Sequence, residues 1–193
     1  MSSLMLLHRV FLHDPAAAPG KSGHATYLHK PQGAGRWDNP ALYDAWYLSP
    51  AAEGAVGETL GNLATWSADM LEHPSGLRRA LATFSVDDDL SIFDFDDATN
   101  LQHLGMRPSQ VVIRNKAFTQ SKAAALFAET HHDGRRRWAG VSWWSYHRPS
   151  WRNVMLWATP TEPAPLTLQS VQPLTLSSIA VIEAARALSK PLP

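Results

Sequence analysis

Three polar residues in the first third of the chain, Arg36, Tyr47 and Glu58, are of types that do chemistry, and each sits in an informative local context. Arg36 follows Gly33 and Gly35 on a glycine-rich loop. Tyr47 lies near the end of an aromatic run, and Glu58 falls among Gly54, Gly57 and Gly61. A guanidinium makes paired, charge-assisted hydrogen bonds to oxyanions. A carboxylate stabilises a developing cation, and an aromatic face holds a flat positive group. Spacing alone does not unite the three. Arg36 as a solvated loop cation, Tyr47 as a core residue with a satisfied hydroxyl and Glu58 as a surface charge stand as the structural alternative.

The elements that must position these residues can be read from periodicity and punctuation. Residues 5–12 form a short apolar run that predicts an opening strand, with Arg9 inside it, before the turn-rich stretch 14–23. The loop 30–40 delivers Arg36 to the run 42–48, which predicts a second strand ended by Pro50. Ala52, Val56, Leu60, Leu63 and Met70 recur close to the helical period and predict a helix over 51–72. Each of its glycines costs about 1 kcal/mol relative to alanine. Glu58 lies about 200° round this helix from Val56, on the face shared with Gly54, Gly61 and Asn62, where no bulky neighbour shields it.

Further along, the pattern predicts strands over 80–86 and 110–114, a short helix over 96–104 and an Ala-rich helix over 119–130. Two strands, 138–145 and 153–158, flank the proline-containing loop 146–152. A strand near 166–171 and a helix over 177–188 finish the chain. Strands and helices without strict alternation imply the α+β class. Neither a repeat nor a linker divides the sequence, so 193 residues read as one domain with a twisted mixed sheet, flanking helices and a cleft against the helix over 51–72.

Composition narrows the function classes. Seventeen basic and seventeen acidic residues cancel, which disfavours direct nucleic-acid binding. The absence of cysteine excludes disulfides, thiolate catalysis and cysteine-ligated metals. The run from Leu4 to Leu7 is broken by His8 and Arg9 and is too short for a signal or membrane segment, so a soluble cytoplasmic protein is expected.

In this order and context, several segments resemble the RES-domain family. They are His8-Arg9-Val10, Gly35-Arg36-Trp37, Leu42-Tyr43, Tyr47-Leu48-Ser49, Ala55-Val56-Gly57-Glu58-Thr59, Phe118-Thr119-Gln120 and Gly140-Val141-Ser142-Trp143-Trp144-Ser145. The family takes its name from an arginine, a glutamate and a serine, which Arg36, Glu58 and Ser145 match. The resemblance runs over most of 7–157, with the C-terminal strand and helix completing a single RES-like domain over 1–193.

The resemblance implies a fold similar to ADP-ribosyltransferases and an enzyme that degrades NAD⁺ by hydrolysis or phosphorolysis. Such an enzyme is often the toxin of a toxin–antitoxin pair with an Xre-like antitoxin. Transfer of ADP-ribose to a protein and a catalytically silent binding module are the alternatives. On this reading Glu58, Arg36 and Tyr47 are catalytic, and Arg9, Arg36, Tyr47 and Ser145 bind NAD⁺. Arg9 and Arg36 clasp the pyrophosphate, Tyr47 faces the nicotinamide, Glu58 meets the ribose as it turns cationic, and Ser145 positions the amide or a hydroxyl. NAD⁺ is then substrate rather than cofactor, with inorganic phosphate as a candidate co-substrate.

Other signals have plainer readings. His8 with His13 and the run His131-His132-Asp133 lack a ligand set for a metal, and none is expected. Asp87-Asp88-Asp89 lacks the pattern of a calcium loop. Arg135-Arg136-Arg137 reads as a solvated hairpin edge. Trp143 and Trp144 point to opposite faces of their strand, so one at most lines a pocket. Gly33 and Gly35 do not make a dinucleotide fingerprint.

Overall fold

The computed structural model describes residues 3–193. Seven strands divide between two sheets. In the first, β1 (Leu4–His13), β3 (Arg78–Asp87) and β7 (Thr167–Pro173) run in the order β1-β3-β7, each pair antiparallel. In the second, β2 (Asp44–Leu48), β6 (Arg152–Ala158), β5 (Gly140–Trp144) and β4 (Ile92–Asp94) lie in the order β2-β6-β5-β4. Only β4 pairs in parallel, against β5, which makes this sheet mixed. The α+β expectation holds, with the strands shared between two sheets rather than one.

The strand sequences explain the layering. Side chains alternate across a strand, and β6 buries both of its faces. Val154 and Leu156 join Leu7, Phe11, Phe84 and Trp46 between the sheets. Met155 and Trp157 join Tyr43, Phe95, Val141 and Leu126 on the outer side, beneath α4 (Lys116–Ala128). On the far side of the first sheet, α1 (Ala52–Leu60) and α5 (Ile179–Ala187) cover Leu81 with Val56, Leu60 and Val181. A strand buried on both faces reads as a continuous apolar run, as Val154–Trp157 does. The sheets are stitched by one bridge: His8 N donates to Ser49 O at 2.7 Å, and Ser49 N to His8 O at 2.9 Å.

Three boundaries differ from the sequence reading. The helix expected over 51–72 stops at Leu60, with Gly61 as its C-cap. Beyond it the chain turns so that Trp66 becomes wholly buried, and a short 3₁₀ turn, Ala68–Leu71, buries Met70 and Leu71. The strand expected over 110–114 does not form: the one-turn helix α3 (Pro108–Val111) takes its first residues, and 112–114 are irregular. Pro108 at the first helical position and Gln110, whose side chain accepts from Arg107 N, outweigh the β-branched run that follows. The acidic stretch also hides a strand, since Asp94 belongs to β4 and α2 (Ala98–His103) starts only after Asp97 has capped it. No helix of the described residues is long and apolar enough to cross a membrane.

Candidate functional site

A cavity of about 300 Å³ opens at the seam between the sheets, where β1 bridges to Ser49. β1 contributes His8 and Arg9, β2 contributes Tyr47, and α1 contributes Glu58 and Thr59. Trp143 of β5 and Asn153 of β6 close the remaining wall. Tyr47 and Glu58, chosen from sequence, therefore share one cavity.

Helix α1 can approach because of its glycines. A Cβ on Gly57 would sit 2.2 Å from the ring of Trp151, so the bare backbone is what lets the buried indole pack against the helix. That contact seats the 145–151 loop beside Glu58. Ser145 is wholly buried on this loop, and its Oγ donates to Glu58 Oε1 while accepting from His147 N at 3.0 Å and Arg148 N at 3.3 Å. The hydroxyl is thus saturated within the protein. Ser145 is not among the residues that line the cavity; its hydroxyl holds the Glu58 carboxylate. Glu58 itself is solvent-exposed at the cavity mouth, and Oε2 has no protein partner among the described residues.

Tyr47, on the opposite wall, is held by a residue that sequence reasoning missed. Asp38 is buried, and its Oδ2 accepts from Gly33 N at 2.8 Å and Gly35 N at 2.7 Å. Its Oδ1 accepts the Tyr47 hydroxyl at 2.7 Å, while Trp37 N donates to that same phenol oxygen at 3.1 Å. Gly35 must lack a side chain here, because a Cβ would lie 2.3 Å from the phenol oxygen. Burial, reinforced by the Asp38 carboxylate, pushes the Tyr47 phenol far above its ordinary range. Tyr47 therefore keeps its proton and offers its ring, set edge to face against Trp143 at 6.1 Å. The signal for Asp38 was faint: one acid two residues after an arginine on a glycine loop.

The two arginines do not meet as expected. Arg9 donates to Tyr27 O at 2.9 Å and Ala25 O at 3.4 Å, and its guanidinium stands 5.2 Å from the Trp46 ring centroid. Burial lowers its pKa to about 10. It lines the cavity while pinning the loop after β1. Arg36 faces a separate hollow of about 430 Å³ with Ile113, Arg114 and Lys116, and its Nη1 donates to Ile113 O. Burial lowers its pKa, opposed by the charge of Glu58. A single clasp of one phosphate pair by Arg9 and Arg36 is therefore not what the geometry offers. The Arg36 backbone is fixed from α4, where Thr119 Oγ1 donates to Arg36 O at 2.6 Å and Gln120 Nε2 to Gly35 O at 3.0 Å. Among the described residues no three His, Asp or Glu side chains gather into a metal site.

The sequence matches the family model of the RES domain over residues 6–177. No curated protein matches it. The crystal structure of the M. tuberculosis MbcT–MbcA toxin–antitoxin complex contains a chain similar in fold, with a TM-score of 0.60 at 17% identity, covering 98% of this chain and 91% of that one.

Proposed function

This chain belongs to the RES-domain family, and from that premise we propose that it is an NAD⁺-degrading enzyme that breaks the nicotinamide–ribose bond. The observation that carries the proposal is the Glu58 carboxylate, tethered by Ser145 at the mouth of a cavity walled by Tyr47 and Trp143. In the reaction the electron pair of the C1′–N bond leaves with the pyridine nitrogen and neutralises the ring. Positive charge passes to the ribose, and Glu58 stabilises it. Water or inorganic phosphate then adds to C1′ and releases a proton.

The other roles follow from position. The rings of Tyr47 and Trp143 border the flat cationic pyridinium before cleavage and the neutral amide after it. Arg36, with Arg114 and Lys116 around the adjoining hollow, is the anchor for the phosphates. Arg9 is a wall and a loop anchor. By analogy with the toxin–antitoxin complex of similar fold, the protein acts as a cytoplasmic toxin restrained by an antitoxin, of Xre type where the RES resemblance extends to the partner.

Incubation with NAD⁺ and phosphate, followed by mass spectrometry, tests the reading. Free nicotinamide with ADP-ribose or its 1-phosphate is the expected result. NAD⁺ recovered intact defeats it, and label transferred from NAD⁺ to protein in a lysate replaces it with ADP-ribosyl transfer.

A further inference from the structure

The face of β6 that turns toward α4 carries Asn153, Met155 and Trp157, and the adjacent row of β5 carries Val141 and Trp143. An asparagine at the end of so apolar a row is out of pattern. Its side chain is buried, with the residue only 5% exposed, and its amide makes no hydrogen bond to protein among the described residues. The amide lines the cavity and is open to it, so it can bond a polar group of a molecule that enters there.

The neighbouring polar groups are already engaged. Thr59 Oγ1 donates to Ala55 O at 2.9 Å, Ser49 Oγ to Arg152 O at 3.0 Å, and the Ser145 hydroxyl is saturated. The Tyr47 hydroxyl is held by Asp38. His8 Nδ1 lies 3.1 Å from Thr83 Oγ1. Besides Arg9, whose guanidinium only donates, Glu58 and Asn153 are cavity side chains with groups free to receive a polar ligand, and they differ in kind. The carboxylate accepts only, whereas the amide presents one acceptor and one donor edge side by side.

We propose that Asn153 is the residue that recognises the carboxamide of nicotinamide, pairing its amide with the ligand's through two N–H···O=C bonds while Glu58 faces the ribose. The pairing rests on the NAD⁺ reading of the cavity. It makes Asn153 a specificity determinant that selects a primary amide at the pyridine 3-position, since a site built to hydrogen-bond a group discriminates against analogues lacking it.

Calorimetric titration with two free probes tests it: nicotinamide, and 3-acetylpyridine, which keeps the carbonyl but lacks the N–H donor. The wild type is expected to prefer nicotinamide by roughly tenfold, the worth of one good hydrogen bond. Asn153→Leu keeps the size and removes both hydrogen-bonding groups, and it should bring the ratio to about one. Asn153→Ala, checked for native circular dichroism and melting, should do the same where the leucine variant fails to fold. A wild type without preference, or variants that retain it, overturns the assignment. NAD⁺ turnover measured on the same samples separates the two readings. Turnover with no amide preference overturns the role of Asn153 alone, and amide preference without turnover upholds it while defeating the glycosidic reading.

Discussion

Two hollows of the molecule contain similar residue types put to different uses. One, of about 500 Å³, lies beside Arg135, Arg136, Arg137 and Trp138; the other is the cavity of about 300 Å³ at the seam of the sheets. In the larger, the cations are committed. Arg136 pairs with Glu162 at 2.8 Å, donates to Phe127 O at 2.6 Å and lies 3.7 Å from the Phe127 ring centroid. Arg135 pairs with Asp133 at 2.6 Å, and Arg137 approaches Glu129 at 3.6 Å while covering Trp138. In the smaller, one carboxylate oxygen and one buried amide are free. The difference teaches that volume and charge do not mark a site here; polar groups left without protein partners do. It also explains why the triple arginine reads as a structural edge, since exposed pairs of this kind contribute about 0–1 kcal/mol each and recruit nothing.

The comparison breaks most sharply at Glu58. Glu58→Gln keeps the size and the bond to Ser145 but removes the charge, and it should lower NAD⁺ turnover by at least about 100-fold with the melting temperature nearly unchanged. Arg135→Gln, its counterpart in the larger hollow, should leave turnover as it is. Equal turnover in wild type and Glu58→Gln erases the distinction between the two hollows. Next in size is Gly57→Ala, which drives a methyl group into the Trp151 ring. It should cost about 1–3 kcal/mol of unfolding free energy in urea, and a neutral result means that α1 slides away from the indole without loss. Smaller again is Ser145→Ala, which releases the carboxylate. A charge-assisted bond is worth roughly 1.5–3 kcal/mol, partly recovered by water at this exposed acid, so kcat should fall about tenfold with KM little altered. A rise in KM alone would place Ser145 on the ligand instead.

Legibility in the sequence followed the range of the forces involved. β1, β3, β5 and β6 announce themselves by apolar residues, β7 by a weaker alternation of Leu168 and Val171 with polar residues, and α4 and α5 by their composition, because those signals are local. β4 does not, being three residues long and existing by pairing with β5. The end of α1 was hidden because the apolar period persists through Leu63 and Met70, although a turn and a 3₁₀ segment carry it once Trp66 is drawn inward. At the site, Tyr47 and Glu58 were visible as residue types, but the role of Ser145 depends on its bond to Glu58, 87 positions away in sequence. Arg36 could be named yet not aimed, since Ile113, in the irregular segment after α3, and Thr119 of α4 fix its place. Asn153 was legible in principle as a lone amide in line with Met155 and Trp157, once the alternation of β6 is followed residue by residue.

The smallest effect is expected at His8, which stands between the seam cavity and a second hollow that also touches Glu53, Thr83 and Glu183. Burial lowers its pKa below the ordinary 6.5, with the charge of Glu53 opposing. The folded protein therefore binds this proton less readily than the unfolded chain does. At pH values above about 6.5 neither state is protonated and the neutral imidazole contributes fully; between that value and the lowered folded pKa the unfolded chain carries more protons, so stability declines as the pH falls. His8→Gln retains a partner for Thr83 without titrating, and its melting temperature should drop less than the wild type's between about pH 7.5 and about pH 5.5. Equal drops would show that the imidazole charges as freely in the fold as outside it. In that event the seam cavity is wetter at β1 than the burial of His8 implies, and the contrast with the solvated arginine edge weakens accordingly.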